Sequence, residues 1–427
     1  MSKRSIHRCL QEDFGFASFR PGQGDVIESL MAGRSALAIF PTGAGKSLCY
    51  QLPAQLLDGL TLVISPLIAL MKDQVDALLA RGIAAARLDS SIGAIEVQTI
   101  YRQLDAGTLK LLYIAPERLA NERFLSRLRG HTISLLAIDE AHCISEWGHN
   151  FRPEYMKIAS LAEEIGVGRV LALTATATPS VAADIRSAFS IAEADEIRSS
   201  FHRPNLHLRV TPCPAPQRRG LLLQRLREEG GGATIVYVTL QRTAEEVAMF
   251  LESGGIVARA YHAGMQNEAR TAVQEAFMNG TLQVVVATIA FGMGIDKADI
   301  RAVYHYNLPK TLENYMQEIG RAGRDGLDSR CEILACSDDL TVLANFSYGD
   351  TPTAEALRGF VEYLLDQGEV FDVSFYDLSG EYDIRPLVIS TVFTYLELQG
   401  VLRSTGPFYD SYKIQFNNPL EEILMSF

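Results

Sequence analysis

The stretch Ala36-Leu-Ala-Ile-Phe-Pro-Thr-Gly-Ala-Gly-Lys-Ser47 opens with an apolar run and ends in a glycine-rich turn. A continuous apolar run of roughly four to eight residues, bounded by turn residues, suits a strand buried on both faces. The same unit recurs at Thr61–Ile64, Leu111–Ile114, Leu135–Ile138 and Val170–Leu173, with amphipathic stretches between the runs. Turn or polar residues follow each one: Ser65-Pro66, Ala115-Pro116, Asp139-Glu140 and Thr174–Thr178. Alternating strand and helix predicts a parallel sheet, whose ligands bind at the carboxyl ends of the strands. The polar punctuation therefore gathers on one rim.

A second series follows, with runs at Thr234–Val238, Val284–Ala287, Ala302–His305 and Glu332–Ala335. Between the two series, residues 201–220 hold four prolines and show little periodicity, which reads as a connection between lobes. The predicted fold class is α/β, with two parallel-sheet lobes over 1–200 and 201–345. Beyond them, 346–427 reads as a small α+β region. It has helical stretches at Ala354–Asp366 and Arg385–Gln399, then a hairpin from Val401–Thr405 and Ser411–Phe416, the order of a winged helix.

The chain has 427 residues, 48% of them hydrophobic, enough for two or three domains with real cores. No stretch has the length and apolarity of a membrane span, and Met1–Phe14 is too polar for a signal peptide. The expected location is cytoplasmic, nucleoid-associated in a bacterium. The six cysteines are scattered and fit reduced thiols better than a disulfide framework or a zinc site. A net charge of −12 weighs mildly against a nucleic-acid partner. Even so, a groove can hold a strand through backbone N–H groups and a few cations while the outside stays acidic.

Three segments carry chemistry. In Phe40–Ser47, a glycine-rich turn opening onto a helix gathers N–H donors around phosphate. Thr42, Gly43 and Gly45 would shape that cradle, Lys46 would reach the β- and γ-phosphates of ATP, and Ser47 would ligate Mg²⁺. Phe40 stands where the loose form of this motif has its first glycine. The second segment, Asp139-Glu-Ala-His142, directly follows a buried run. Asp139 is placed to hold Mg²⁺ and Glu140 to deprotonate the attacking water. The third is Gln317-Glu-Ile-Gly-Arg-Ala-Gly-Arg324 in the second lobe. Arg321 and Arg324, on one face if the segment is helical, would spread charge on the γ-phosphate as the cleft closes.

Together these segments resemble superfamily 2 helicases, and further segments resemble the RecQ family over roughly Phe14 to Asp338. The resemblance implies RecA-like lobes, ATP and Mg²⁺ as cofactors, and translocation 3′ to 5′ on single-stranded or forked DNA in repair or recombination, by a monomer. In Phe14-Gly-Phe-Ala-Ser-Phe-Arg-Pro-Gly-Gln23 it implies that Gln23 reads the adenine edge while Phe16 and Arg20 sandwich the ring. Ser65-Pro-Leu-Ile-Ala-Leu-Met-Lys-Asp-Gln74 is similar to the family's first DNA-contacting motif, and Ser65 is its candidate contact.

The segment His142-Cys-Ile-Ser-Glu-Trp-Gly-His-Asn-Phe-Arg-Pro-Glu-Tyr155 looks like the aromatic-rich loop that senses single-stranded DNA. His142, Trp147, His149, Phe151 and Arg152 are its candidate contacts, with Asn150 where the family commonly has Asp. Stacking on aromatic rings is sequence-tolerant and worth ~1–3 kcal/mol per base. By the same resemblance Leu173–Thr178 couples the lobes, Thr239, His262 and Thr288 lie near the strand, and Asp296 lies near the nucleotide.

No cysteine follows Cys336, so the family's four-cysteine zinc subdomain is not expected, nor is its small helical domain. The tail is similar to the zinc-lacking branch that includes the Rothmund–Thomson-type helicase. It holds twelve Asp and Glu against four Lys and Arg over 351–427, so protein contact competes with DNA reading there. An RNA-directed motor, a non-hydrolysing nucleic-acid scaffold and a duplex translocase stay open, and the polymer dependence of turnover separates them.

Overall fold

The apolar runs form two parallel sheets. The structure, a computed structural model, describes residues 5–145, 152–228, 231–292, 297–348, 351–368 and 370–403. The first sheet is built from β1 (Ala36–Ile39), β2 (Leu60–Ile64), β3 (Ala85–Leu88), β4 (Leu111–Ile114), β5 (Ile133–Ile138), β6 (Val170–Thr174) and β7 (Glu196–Arg198). Their spatial order is β3-β4-β2-β5-β6-β1-β7. The second contains β8 (Leu206–Pro212), β9 (Ala233–Tyr237), β10 (Ala258–Tyr261), β11 (Val284–Ala287), β12 (Ile300–His305) and β13 (Ser329–Ala335), ordered β10-β11-β9-β12-β13-β8. Every ladder described is parallel.

Alternate residues of each strand feed separate cores. In the first lobe Leu37, Leu62, Leu112, Leu136 and Ala172 point to one face, while Ala38, Val63, Tyr113, Ala137 and Leu171 point to the other. The second lobe divides the same way, Ile235 and Val303 from Val236 and Tyr304. Burial on both faces is why these strands read as unbroken apolar runs.

The structure corrects the connection between lobes. Residues 201–220 are not a plain linker: β8 lies within them, and a helix, Ala215–Glu228, begins there. Strand β8 is an edge strand, and Leu206, Leu208 and Val210 alternate with His207, Arg209 and Thr211. Pro212 closes it, a place an edge tolerates because one side of the ladder needs no donor. Strands β3 and β10 were also not marked by apolar runs, since Arg87 and Arg259 interrupt them.

Beyond β13 the described residues are helical: Asp339–Tyr348, Ala354–Leu365, Phe375–Tyr382 and Pro386–Leu398. Phe360, Leu364, Leu378, Ile384 and Ile389 make a small core of their own. Lys157, on the helix Pro153–Glu164 of the first lobe, pairs with Glu397, so this unit rests on that lobe. The expected hairpin lies outside the described residues from 404 onward, and Val401–Arg403 form no strand.

One buried ion pair anchors the second lobe. Arg218 is 3% exposed and donates to both carboxylate oxygens of Asp339 at 3.0 and 3.1 Å, and to the carbonyl of Tyr306 at 2.7 Å. Removing one partner of such a pair strands a charge in the interior. Asp339→Ala is expected to lower stability by about 3–5 kcal/mol in urea unfolding. Glu12→Ala, which breaks an exposed pair with Arg8 at 2.7 Å, should cost under about 0.5 kcal/mol.

Candidate nucleotide and nucleic-acid site

Strand β1 feeds straight into the glycine-rich turn. Phe40 N–H still bonds the Thr174 carbonyl at 3.1 Å, then Gly43 and Gly45 both take φ 80° before the helix Leu48–Leu56 begins. That left-handed backbone favours glycine. At Gly45 the space is also closed, because a Cβ there would come within 2.6 Å of Gln23 Nε2.

Gln23 is 2% exposed and donates to the carbonyls of Gly45 at 2.9 Å and Ala44 at 3.3 Å, while its Oε1 accepts from Arg20 N–H at 2.9 Å. Arg20 donates to the Gly43 carbonyl. Both groups expected at the base thus brace the phosphate turn here, and Phe16 is 47% exposed. The Lys46 ammonium donates to the Phe40 carbonyl at 3.1 Å, and burial pulls its pKa below the usual lysine value. Ser47, at the helix start, contacts the Tyr50 hydroxyl.

Asp139 and Glu140 end β5. Asp139 accepts from Ser65 Oγ at 3.2 Å and from Glu140 N–H at 3.0 Å, and its own N–H bonds the Ile64 carbonyl at 2.8 Å. Tyr155 Oη donates to the Asp139 carbonyl at 3.0 Å. Burial and the neighbouring Glu140 charge push the Asp139 carboxyl up to about 7. Glu140 has φ 50°, a left-handed backbone rare outside glycine, and burial raises its pKa as well. Its Oε2 is buried with no hydrogen bond among the described residues, and lies 3.3 Å from His142 Nδ1.

His142 Nδ1 is also 2.9 Å from Thr174 Oγ1, which donates to the Thr176 carbonyl at 2.8 Å. Burial, helped by Lys46, lowers the His142 pKa to about 4, so the ring is neutral at pH 7. Two enclosed carboxylates held towards their protonated forms fit a divalent cation, which would favour the charged forms. Asp139 would hold it, Ser47 would add a hydroxyl, and bound Mg²⁺ supplies charge neutralisation at the phosphates.

The second lobe brings its arginines to this turn. A Cβ on Gly43 would stand 3.5 Å from Arg324 Nε, and one on Gly320 would stand 3.3 Å from Thr42 Cβ. Both arginines lie beyond a helix rather than on one: Leu312–Ile319 ends before them, and 320–325 is a succession of turns. Arg321 donates to the Gly292 carbonyl, and its charge acts on Glu140. Between the lobes lies a small cavity of about 20 Å³, lined by Pro41 and Thr42 on one side and Gln317 and Gly320 on the other.

The candidate DNA contacts spread along both carboxyl rims. Ser65 follows β2, but its side chain is turned inward to Asp139 and only 3% of the residue is exposed. Arg152 faces Glu117 at 3.9 Å, and its N–H bonds the Cys143 carbonyl at 3.0 Å. In the second lobe Thr239, His262 and Thr288 follow β9, β10 and β11. His262 is 5% exposed and lies 3.2 Å from Glu245, so little of it faces outward. Trp147, His149, Phe151 and Asp296 lie outside the described residues.

Sequence reasoning missed Asn307, two residues beyond β12. It accepts from Thr239 N–H at 3.2 Å and donates to Asp339 at 2.7 Å, tying the Thr239 loop to the Arg218–Asp339 pair. A polar residue just beyond the apolar run Ala302–His305 was the available signal.

Comparison with known proteins follows the same division. Residues 20–185 match the DEAD/DEAH box helicase family and 217–326 the helicase conserved C-terminal domain. The probable ATP-dependent DNA helicase RecS of Bacillus subtilis is 42% identical over 361 residues, which cover 84% of this chain and 72% of that protein. The ATP-dependent DNA helicase RecQ of Pasteurella multocida is 46% identical over 331 residues, covering 78% of this chain and 52% of that one. The chain thus spans about half the length of that RecQ protein.

Among solved structures, Mycobacterium smegmatis helicase Lhr bound to ssDNA and AMP-PNP aligns with a TM-score of 0.63 at 21% identity, over 82% of this chain and 50% of that one. Saccharomyces cerevisiae Dbp5 bound to RNA and ADP BeF3 gives 0.62 at 16%, over 82% and 93%. These two likenesses establish the two-lobed fold. No helix among the described residues is long and apolar enough to cross a membrane.

The Asp139 shift sets a pH dependence. The folded carboxyl, at about 7, keeps its proton where the unfolded one, near the ordinary 3.8, has lost it. Between those values the folded state binds more protons, so stability falls as pH rises towards 7 and levels off above it. Asp139→Asn removes this term. In urea unfolding without nucleotide or Mg²⁺, the variant should gain on wild type as pH rises from 5 to 8. The gain should be a few kcal/mol at most, at about 1.4 kcal/mol per unit. A gap independent of pH would show that the carboxyl titrates normally.

Proposed function

This chain belongs to the RecQ family of superfamily 2 DNA helicases, and from that membership we propose that it is an ATP-driven 3′ to 5′ motor on single-stranded DNA. On that reading it opens forked substrates in repair or recombination. The observation that carries the reading is the meeting of Arg324 with Gly43, which places a second-lobe guanidinium against the phosphate turn of the first. A nucleotide site divided in this way is complete only when the lobes are together, so its occupancy biases their separation.

The roles we assign combine the geometry of the described residues with the family resemblance. Thr42, Gly43, Gly45 and Lys46 hold the phosphates, while Ser47 and Asp139 hold Mg²⁺. Glu140, whose buried Oε2 has no hydrogen bond among the described residues, takes the proton of the attacking water. Arg321 and Arg324 stabilise charge developing on the γ-phosphate. Phe16, Arg20 and Gln23 are assigned to the base end, with Gln23 and Arg20 also fixing the turn, and the family resemblance assigns Asp296 to the nucleotide. A single strand crosses both carboxyl rims past Arg152, Thr239 and Thr288, and the family resemblance adds Trp147, His149 and Phe151 as contacts. Ser65, His142 and His262, whose side chains are buried, support the rim from beneath. Each closing and opening shifts one lobe along the strand. The motor works as a cytoplasmic monomer on chromosomal DNA. Its lobes divide near 200 and 345, and the acidic region beyond serves protein contact or DNA reading.

Hydrolysis should be measured with Mg²⁺ alone, then with single-stranded DNA, single-stranded RNA and blunt duplex. Strong stimulation by single-stranded DNA is expected. Equal stimulation by RNA would move the chain to an RNA-directed motor, and silence with every polymer would leave a scaffold. Lys46→Ala and Arg324→Ala should each lower kcat by about 100-fold or more while retaining single-strand binding. Turnover at the wild-type level in either would remove the assigned role.

A further inference from the structure

The segment entering β8 is bonded to the turn that carries the two arginines. Arg203 Nη1 donates to the Gly320 carbonyl at 3.2 Å, and its Nη2 donates to the Gly323 carbonyl. Asn205 Nδ2 donates to the carbonyls of Gly323 and Leu327, both at 2.9 Å, and the Asn205 carbonyl accepts from Ser329 N–H at 2.9 Å. The two carbonyls held by Arg203 bracket Arg321, and Arg324 follows the second one. Gly323 has φ 54°, and a Cβ on it would come within 2.5 Å of Asn205 Nδ2 and 2.7 Å of the Leu327 carbonyl. The turn and the segment are therefore fitted to each other, not merely adjacent.

A helix leaves its last carbonyls without partners, and these turns follow the end of Leu312–Ile319. One planar guanidinium can serve two carbonyls three residues apart, which a lysine ammonium cannot do in the same geometry. Arg203 also lines the inter-lobe cavity with Pro41, Thr42 and Phe201.

We propose that Arg203, seconded by Asn205, is a positioning residue for the Arg321–Arg324 pair, and that the inter-lobe segment carries these arginines to the phosphate turn through it. Arg203 touches no substrate in this role. It fixes the backbone frame from which both guanidinium groups reach, so its loss lowers turnover more than nucleotide binding. The assignment rests on the proposed ATPase.

The test is steady-state hydrolysis with single-stranded DNA for wild type, Arg203→Lys, Arg203→Ala, Asn205→Ala, Arg324→Lys and the double variant Arg203→Lys/Arg324→Lys, with a melting curve for each. Arg203→Lys keeps the stem and charge but loses the fork, so it carries the test if Arg203→Ala does not fold. The expected result is a kcat lowered about 10- to 100-fold in both Arg203 variants, a smaller fall in Asn205→Ala, and KM for ATP within about threefold of wild type. The double variant should be no more than about twofold slower than Arg324→Lys alone, because both changes act on one unit.

An Arg203→Lys kcat within about twofold of wild type would overturn the assignment, and so would losses that multiply in the double variant. A raised KM together with a melting temperature lowered by more than about 10 °C would mark a merely structural role and overturn it too. A wild-type chain that hydrolyses no ATP would instead sink the motor reading itself.

Discussion

Two carboxylates at the end of β5 set the terms for the rest of the molecule. Asp139 and Glu140 are enclosed, and burial drives both towards their neutral forms. Lys46 works in the opposite direction on each, but its own pKa is lowered by the same enclosure. A cluster with this much unresolved charge is stabilised by whatever brings more cations or converts the carboxylates into ligands. Arg321, from the other lobe, contributes to Glu140 in that sense. The electrostatics of the first lobe are therefore incomplete without the second, which is a physical reason for the two lobes to respond to what lies between them.

The backbone at Glu140 carries strain that the surroundings must hold. Its φ of 50° is accompanied by bonds on either side: Asp139 N–H to Ile64, Tyr155 Oη to the Asp139 carbonyl, and His142 to Thr174. The last of these joins the end of β5 to the end of β6, and Thr174 also accepts the N–H of Phe40 through its carbonyl. Phosphate turn, acidic pair and the Thr174–Thr178 segment thus share one hydrogen-bonded rim. A shift at any of the three is transmitted by short, oriented bonds to the others.

Much of this was legible in the amino-acid sequence, for a definite reason. Strands buried on both faces leave unbroken apolar runs, and the residues right after them are the ones a parallel sheet presents to ligands. Gly43, Lys46, Asp139 and Glu140 all fall in motifs that directly follow such runs. What stayed hidden was direction and distance. Ser65 sits at the end of β2 as expected, yet its hydroxyl faces Asp139, a choice made by packing and not by spacing. Gln23 and Arg20 bind carbonyls of the turn, and main-chain carbonyls carry no residue signature. The condition that Arg321 and Arg324 share a helical face is not met, because the helix stops at Ile319 with Gly320 as its cap, and only the fold shows that turns follow. Strand β8 was obscured because an edge strand with alternating charge looks like a proline-rich connection.

The same blindness explains why the inter-lobe segment looked inert. A connector recognised by its prolines invites the view that it only permits motion. Here it is bonded to the carbonyls of Gly320 and Gly323, more than a hundred positions away along the chain. The pieces that must move together, connector and arginine turn, are therefore one bonded body, and the phosphate turn is the other. Closing the cleft then needs no rearrangement within the arginine turn.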